Sequence, residues 1–184
     1  MRIIGLAGRK RSGKDTVGKY ICDTYGFMPE SFARPLKESI RIIYGWTSDH
    51  TDGELKEVTC PYWKVTPRTV MQQPGTEIGR QLDRDIWRKS MERRLMTVMQ
   101  HDDESRIPVG VIITDVRFPN EADGIRELGG EIWRITRPTL GPQTDLHPSE
   151  TSLDRYRFDR EVENDGSMED LYAKVRVLLC GNIE

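Results

Sequence analysis

The tightest constraint on the fold lies where a short apolar run, Arg2-Ile-Ile-Gly-Leu-Ala7, passes into Gly8-Arg-Lys-Arg-Ser-Gly13-Lys14-Asp15-Thr16. Apolar positions at helical spacing follow, Val17, Tyr20 and Ile21, so the pattern is a strand feeding a helix through a glycine-bounded loop. The backbone N–H groups of such a loop turn around an anion, the positive end of the helix points at the same place, and Lys14 adds a full charge. Phosphate is the anion that suits this arrangement. Ser or Thr commonly follows the lysine and holds Mg²⁺; here Asp15 stands there and Thr16 comes one later. A carboxylate holds the same hard cation directly or through water.

Beyond the loop, strand-like and helix-like stretches alternate. The pattern predicts a helix over Lys14–Tyr25, a weaker strand over 27–32, and a helix opened by Pro35 with Leu36, Ile40 and Ile43 on one face. Residues 45–67 mix Asp, Thr, Gly, Pro and aromatics and read as a long loop, either a functional flap or plain surface. Thr66-Pro67 caps a further helix, and another runs over 83–100. The continuous apolar run 109–114 is what a buried parallel strand requires. A helix over 120–128, a strand over Glu131–Thr136 and a closing helix over 168–179 complete the alternation. Such alternation predicts an α/β fold, a parallel sheet covered by helices on both faces in a single domain.

Composition narrows the class. With a net charge of −2, the chain lacks the basic field that non-specific nucleic-acid binding needs. Cys22, Cys60 and Cys180 have no paired spacing, which argues against a disulfide framework or a zinc site and fits a reducing, cytoplasmic setting. No apolar run approaches the ~20 residues that span a bilayer, so no membrane partner is expected. A homodimer is left open.

Four further constellations carry chemistry. Thr114-Asp115-Val116-Arg117-Phe118-Pro119-Asn120-Glu121 follows the best strand, where open α/β sheets bind ligands. Asp115 could hold Mg²⁺ opposite Asp15, Arg117 grip a phosphate with its planar fork, and Asn120 or Glu121 bond a polar ring edge. Equally, Asp115 and Arg117 could form a salt bridge while Asn120 caps the next helix. Near the second strand, Phe32 is a stacking platform or core, and Lys37 a phosphate contact or a solvated charge. Within 68–87, the glycines of Gly75-Thr76-Glu77-Ile78-Gly79-Arg80 favour a ligand wall, with a surface ion pair as the simpler role for Arg80. Finally, Arg134, Arg137 and His147 bracket a Pro/Gly segment that could close over bound phosphates or be an exposed turn.

Taken in order, Lys10-Arg-Ser-Gly-Lys-Asp-Thr16, Phe32-Ala-Arg-Pro-Leu-Lys37, Arg68 with Gln72 and Gly75-Thr-Glu77, Asp85-Ile-Trp87, Asp115-Val-Arg-Phe-Pro-Asn-Glu121, Arg137-Pro138, His147-Pro-Ser-Glu150 and Asn164-Asp-Gly-Ser167 resemble the bacteriophage-type deoxynucleoside monophosphate kinases. These belong to the P-loop nucleoside monophosphate kinase group, and the Gly-Lys-Asp-Thr variant is itself part of their pattern. The resemblance implies a three-layer α/β/α fold of P-loop NTPase type with a parallel central sheet, a lid over 137–150 and a monophosphate-binding insert over 45–67. It implies transfer from ATP, with Mg²⁺, to a deoxynucleoside monophosphate for DNA precursor supply. Lys14 would then bridge the ATP phosphates, with Arg11, Ser12, Gly13, Thr16 and Arg137 on the same side, and Asp15, Thr16 and Asp115 would place the metal. Lys37, Arg68 and Arg117 would hold the acceptor phosphate. Phe32, Gly75, Arg80, Asn120 and Glu121 would lie on the acceptor side with Asp115, and Lys14, Arg11, Asp15 and Arg117 would be catalytic. Two other classes remain open at this point: a P-loop kinase of another small phosphorylated metabolite, and a non-kinase nucleotide-binding switch.

Overall fold

A computed structural model of the protein describes residues 1–72, 79–100, 108–141 and 147–181. The chain divides into two compact units, one formed by Met1–Ser31 with Met91–Glu184 and the other by Phe32–Ser90.

The first unit is built on five parallel strands, β1 Arg2–Ala7, β2 Met28–Glu30, β3 Gly110–Val116, β4 Glu131–Thr136 and β5 Arg160–Glu163, in the order β2-β3-β1-β4-β5. β1 lies in the centre, with Ile4 beside Ile112 of β3 and Leu6 beside Trp133 of β4. One face of the sheet presents Ile4, Leu6, Ile112, Trp133, Ile135 and Val162 to Val17 and Ile21 of α1 (Lys14–Tyr25) and to Leu171 and Val175 of α9 (Met168–Cys180). The opposite face receives α7 (Pro119–Glu127), whose Ile125 sits over Gly5 so closely that an added Cβ would lie 2.8 Å away. The result is three layers, helix on sheet on helix, because the central strands are apolar on both faces.

Two details differ from the pattern. Val109, expected within the buried strand, is 70% exposed, and β3 begins one residue later. β5 carries Arg-Glu-Val-Glu with only Val162 buried, so no apolar run marks it; an edge strand needs one inward side chain and is protected by charges.

In the second unit, α2 (Arg34–Tyr44) and α4 (Pro67–Gln72) contribute Ile40, Val70 and Met71 to a small core around Trp46. Residues 45–67 are ordered secondary structure in part, with α3 (Ser48–Thr51) and a 3-10 turn (Glu54–Glu57). Trp63 also donates its indole N–H to the Tyr44 carbonyl at 3.0 Å. The short helix α5 (Gly79–Leu82) follows; α6 (Ile86–Met99) belongs to the second unit as far as Ser90 and to the first from Met91, and α8 (Pro148–Thr151) belongs to the first unit. No helix among the described residues is long and apolar enough to cross a membrane.

Candidate active site

Two glycines shape the loop between β1 and α1. Gly8 has φ +144, and a Cβ there would fall 2.2 Å from the Ile135 carbonyl oxygen; Gly13 has φ +108, and its Cβ would meet the Asn164 amide at 2.7 Å. Both positions therefore require glycine, for backbone conformation and for space. Asn164, just beyond β5, donates its side-chain N–H to the Ser12 carbonyl at 2.9 Å. Gly13 caps α1 with no side chain, so the positive helix end is left to a ligand.

Lys14 is 8% exposed rather than standing out on an open loop. Its Nζ donates to the Gly8 and Arg9 carbonyls at 2.7 and 2.8 Å, which uses two of its three donors. Burial, and after it the Arg117 guanidinium, pushes its pKa down to about 8 against the opposing pull of Asp15, Glu150 and Asp115. An anion bound at the loop raises that value again. Nucleotide affinity measured without Mg²⁺ is therefore expected to weaken above about pH 8, by up to about tenfold per pH unit; a flat profile from pH 8 to about 9.5 would remove Lys14 from the anion site. For folding, the depressed pKa means that the buried ammonium costs stability below about pH 8, a cost relieved as pH climbs towards the ordinary lysine value of 10.5.

A cleft of about 350 Å³ opens over α1, lined by Arg11, Gly13, Lys14, Asp15, Thr16 and Arg137, with Asn164, Gly166, Met168 and Leu171 on its other side. A second, of about 460 Å³, borders the loop through Gly8, Arg9 and Ser12 and takes in Arg117, Arg134, Arg137 and Glu150. Arg137 lines both, is exposed, and has no ion pair among the described residues. Arg11 is likewise exposed, at φ 65. The Ser12 hydroxyl is buried and makes no hydrogen bond among the described residues.

Asp15 is exposed on the first turn of α1 and Asp115 is the penultimate residue of β3. Both act electrostatically on Lys14. Among the described residues, no group of three or more Asp, Glu, His or Cys side chains is placed to hold a metal ion by itself. That donor set fits Mg²⁺, which takes one or two carboxylates and completes its shell with water and substrate phosphates.

The β3–α7 loop corrects two sequence readings. Arg117 pairs with Glu150, not with Asp115, and also donates to the Ser149 carbonyl at 3.2 Å. Glu121, 3% exposed, accepts the Arg117 and Phe118 backbone N–H groups at 2.8 and 3.1 Å. It is thus the cap of α7 rather than a group facing a base, and the capping role considered for Asn120 falls to it. Asn120 is the second residue of α7.

Within the second unit, Phe32 is 4% exposed, so its ring is packed rather than an open platform. Lys37 pairs with Asp52 at 2.5 Å, Arg68 with Glu57 at 3.3 Å, and Arg80 donates to the Arg84 carbonyl at 3.4 Å. Gly75, like Thr76 and Glu77, lies outside the described residues, as do 142–146 of the expected lid. Of that lid's flanks, residues 138–140 form a 3-10 turn and His147 caps α8, its Nδ1 accepting from Ser149 N at 3.2 Å. Arg134 lies over the Phe158 ring at 5.2 Å.

A family model described as deoxynucleotide monophosphate kinase matches residues 2–64 and 55–175. The chain belongs to the deoxynucleotide monophosphate kinase family. It is 35% identical over 183 residues to the putative deoxynucleotide monophosphate kinase of Acanthamoeba polyphaga mimivirus, covering 95% of this chain and 94% of that protein. It is 23% identical to the deoxynucleotide monophosphate kinase of Escherichia phage RB69, over 97% of this chain and all of the relative. Its fold is similar to shikimate kinase from Aquifex aeolicus, with a TM-score of 0.53 at 15% identity, over 98% of this chain and 97% of that one. The parallel sheet and this likeness make it an α/β fold of P-loop kinase type. Asn164 and Glu150, which bond the loop at Ser12 and Lys10, are residues to which residue chemistry alone assigns no role. No periodicity or charge pattern marks either as a tie to the phosphate loop.

Proposed function

We propose that the protein transfers the terminal phosphoryl group of ATP to a deoxynucleoside monophosphate, releasing ADP and the diphosphate. The observation that carries this reading is the charge layout of the α1 cleft: an uncapped helix end, a desolvated Lys14, and the exposed Arg11 and Arg137 lining the same cleft, beside a loop that admits no side chain at Gly8 or Gly13. Family membership supplies the acceptor class.

The chemistry needs no general base, because a monophosphate oxygen is already anionic near neutral pH. What remains is to bring two repelling phosphates in line and to neutralise charge as it spreads in the transition state. Lys14 bonds the donor phosphates through its third N–H and the α1 amides receive a phosphate oxygen, with Arg11 and Arg137 supplying positive charge beside them. Arg117, its field already felt by Lys14, holds the acceptor phosphate or the group in transfer. Asp15 and Asp115, with the Thr16 hydroxyl, would hold Mg²⁺, which when bound screens the repulsion between phosphate oxygens. The acceptor roles of Lys37 and Arg68 require each to leave the carboxylate it now faces; Asp52 and Glu57 keep those charges neutralised until an acceptor arrives.

The test is an acceptor panel in a coupled ADP-release assay, with deoxynucleoside monophosphates, ribonucleotides and small phosphorylated alcohols. Release is expected to depend on a deoxynucleoside monophosphate by at least about tenfold over the other classes. ADP release at the same rate with no acceptor would favour a nucleotide-binding switch instead.

A further inference from the structure

Glu150 is a buried carboxylate beside a site built to hold anions. Its side chain is 5% exposed. One oxygen accepts the Lys10 backbone N–H of the phosphate loop at 3.0 Å, and the other accepts Arg117 Nη1. Its charge also reaches Lys14. A negative group there opposes nucleotide binding and bears the desolvation cost of burial, and a neutral amide oxygen would accept the Lys10 N–H without that charge. What a carboxylate adds is direction. Arg117 carries five N–H donors in a rigid fork, and with Nη1 taken by Glu150 and the Ser149 carbonyl its remaining donors project from a fixed plane. Its side chain is still 38% exposed. The segment bearing Glu150 is itself anchored, by His147 capping α8 and by Asp154 pairing with Arg9 at 2.6 Å.

We propose that Glu150 is a positioning residue for phosphoryl transfer: it aims the Arg117 guanidinium at the reacting phosphates and fixes that arginine relative to the phosphate loop through Lys10. This rests on Arg117 contacting substrate phosphate in the reading above. The carboxylate acts on rate more than on binding, since a fork out of line by about 1 Å can lower turnover by about a hundredfold.

Glu150→Gln separates the two ties. The amide keeps an oxygen for the Lys10 N–H and turns an NH₂ towards Arg117, which cannot accept it. The variant is expected to lose at least about tenfold in kcat, with KM for ATP and for the monophosphate within about threefold of wild type and an unchanged melting midpoint. In an Arg117→Lys background the same change is expected to cost less than about twofold more, because residues acting as one unit are not additive. Equal losses in both backgrounds would overturn the proposal and leave Glu150 a structural tie, as would a Glu150→Gln variant with wild-type kcat. If Glu150→Gln does not fold, Glu150→Asp decides: a normal midpoint with reduced kcat upholds the proposal, whereas kcat falling only with stability overturns it. An Arg117→Lys enzyme with unaltered turnover would instead remove Arg117 from the phosphate site, and with it the role of Glu150.

Discussion

Lys14→Ala is expected to yield a folded protein whose phosphoryl transfer is slower by about two to three decades, equivalent to about 3–4 kcal/mol of transition-state stabilisation. The fold should survive because the side chain's described bonds go only to the Gly8 and Arg9 carbonyls of its own loop and because its burial as a cation is itself unfavourable. The rate should not survive, since a desolvated ammonium interacts more strongly with developing charge than one in water. Steady-state kinetics on protein with a verified melting midpoint make the measurement. Turnover near wild type would detach the glycine loop from phosphate chemistry altogether.

Gly8→Ala is expected to act on stability first. Its Cβ would meet the Ile135 carbonyl oxygen at 2.2 Å, a backbone atom of β4 that cannot swing aside, and φ +144 is strained for any L side chain. Overpacking and backbone strain each contribute on the order of 1–3 kcal/mol, so a loss of about 3 kcal/mol or more is expected in denaturant unfolding. Gly26→Ala is the internal control: it also has positive φ, at +69, but nothing lies within 4 Å of the added Cβ, and it should cost about 1–2 kcal/mol. Equal costs at the two positions would mean that β4 yields, and that the loop is not braced by it.

The strands that carry the loop and its neighbours were legible because they are buried on both faces. Glu131–Thr136 and the loop-to-α1 transition fall where apolar spacing places them. β5 was hidden for the complementary reason, being an edge strand with one buried residue in four. In 45–67, α3 and the 3-10 turn are single turns, shorter than any periodicity can register. At the site, residue types pointed to the right loops but not to the partners. Arginine beside aspartate in sequence suggested a pair, yet the partner of Arg117 comes from α8, and Glu121 turns inward to satisfy backbone N–H groups instead of facing solvent. Partner choice across long sequence separations is a tertiary property, and so is the burial that moves the Lys14 pKa.

The central place of β1 bears on how the protein is made. β1 and β2 both pair with β3, and the other neighbour of β1 is β4; no sheet pairing is therefore available to a growing chain until residues 110–116 have left the ribosome. Through that interval the apolar β1 segment has no strand to pair with, while residues 32–90, a compact unit in their own right, are already complete. Nucleotide competence comes later still, after Ile135 has closed against Gly8 and Asn164 has reached Ser12. A translating chain is thus exposed to aggregation through the β1 segment until β3 has emerged.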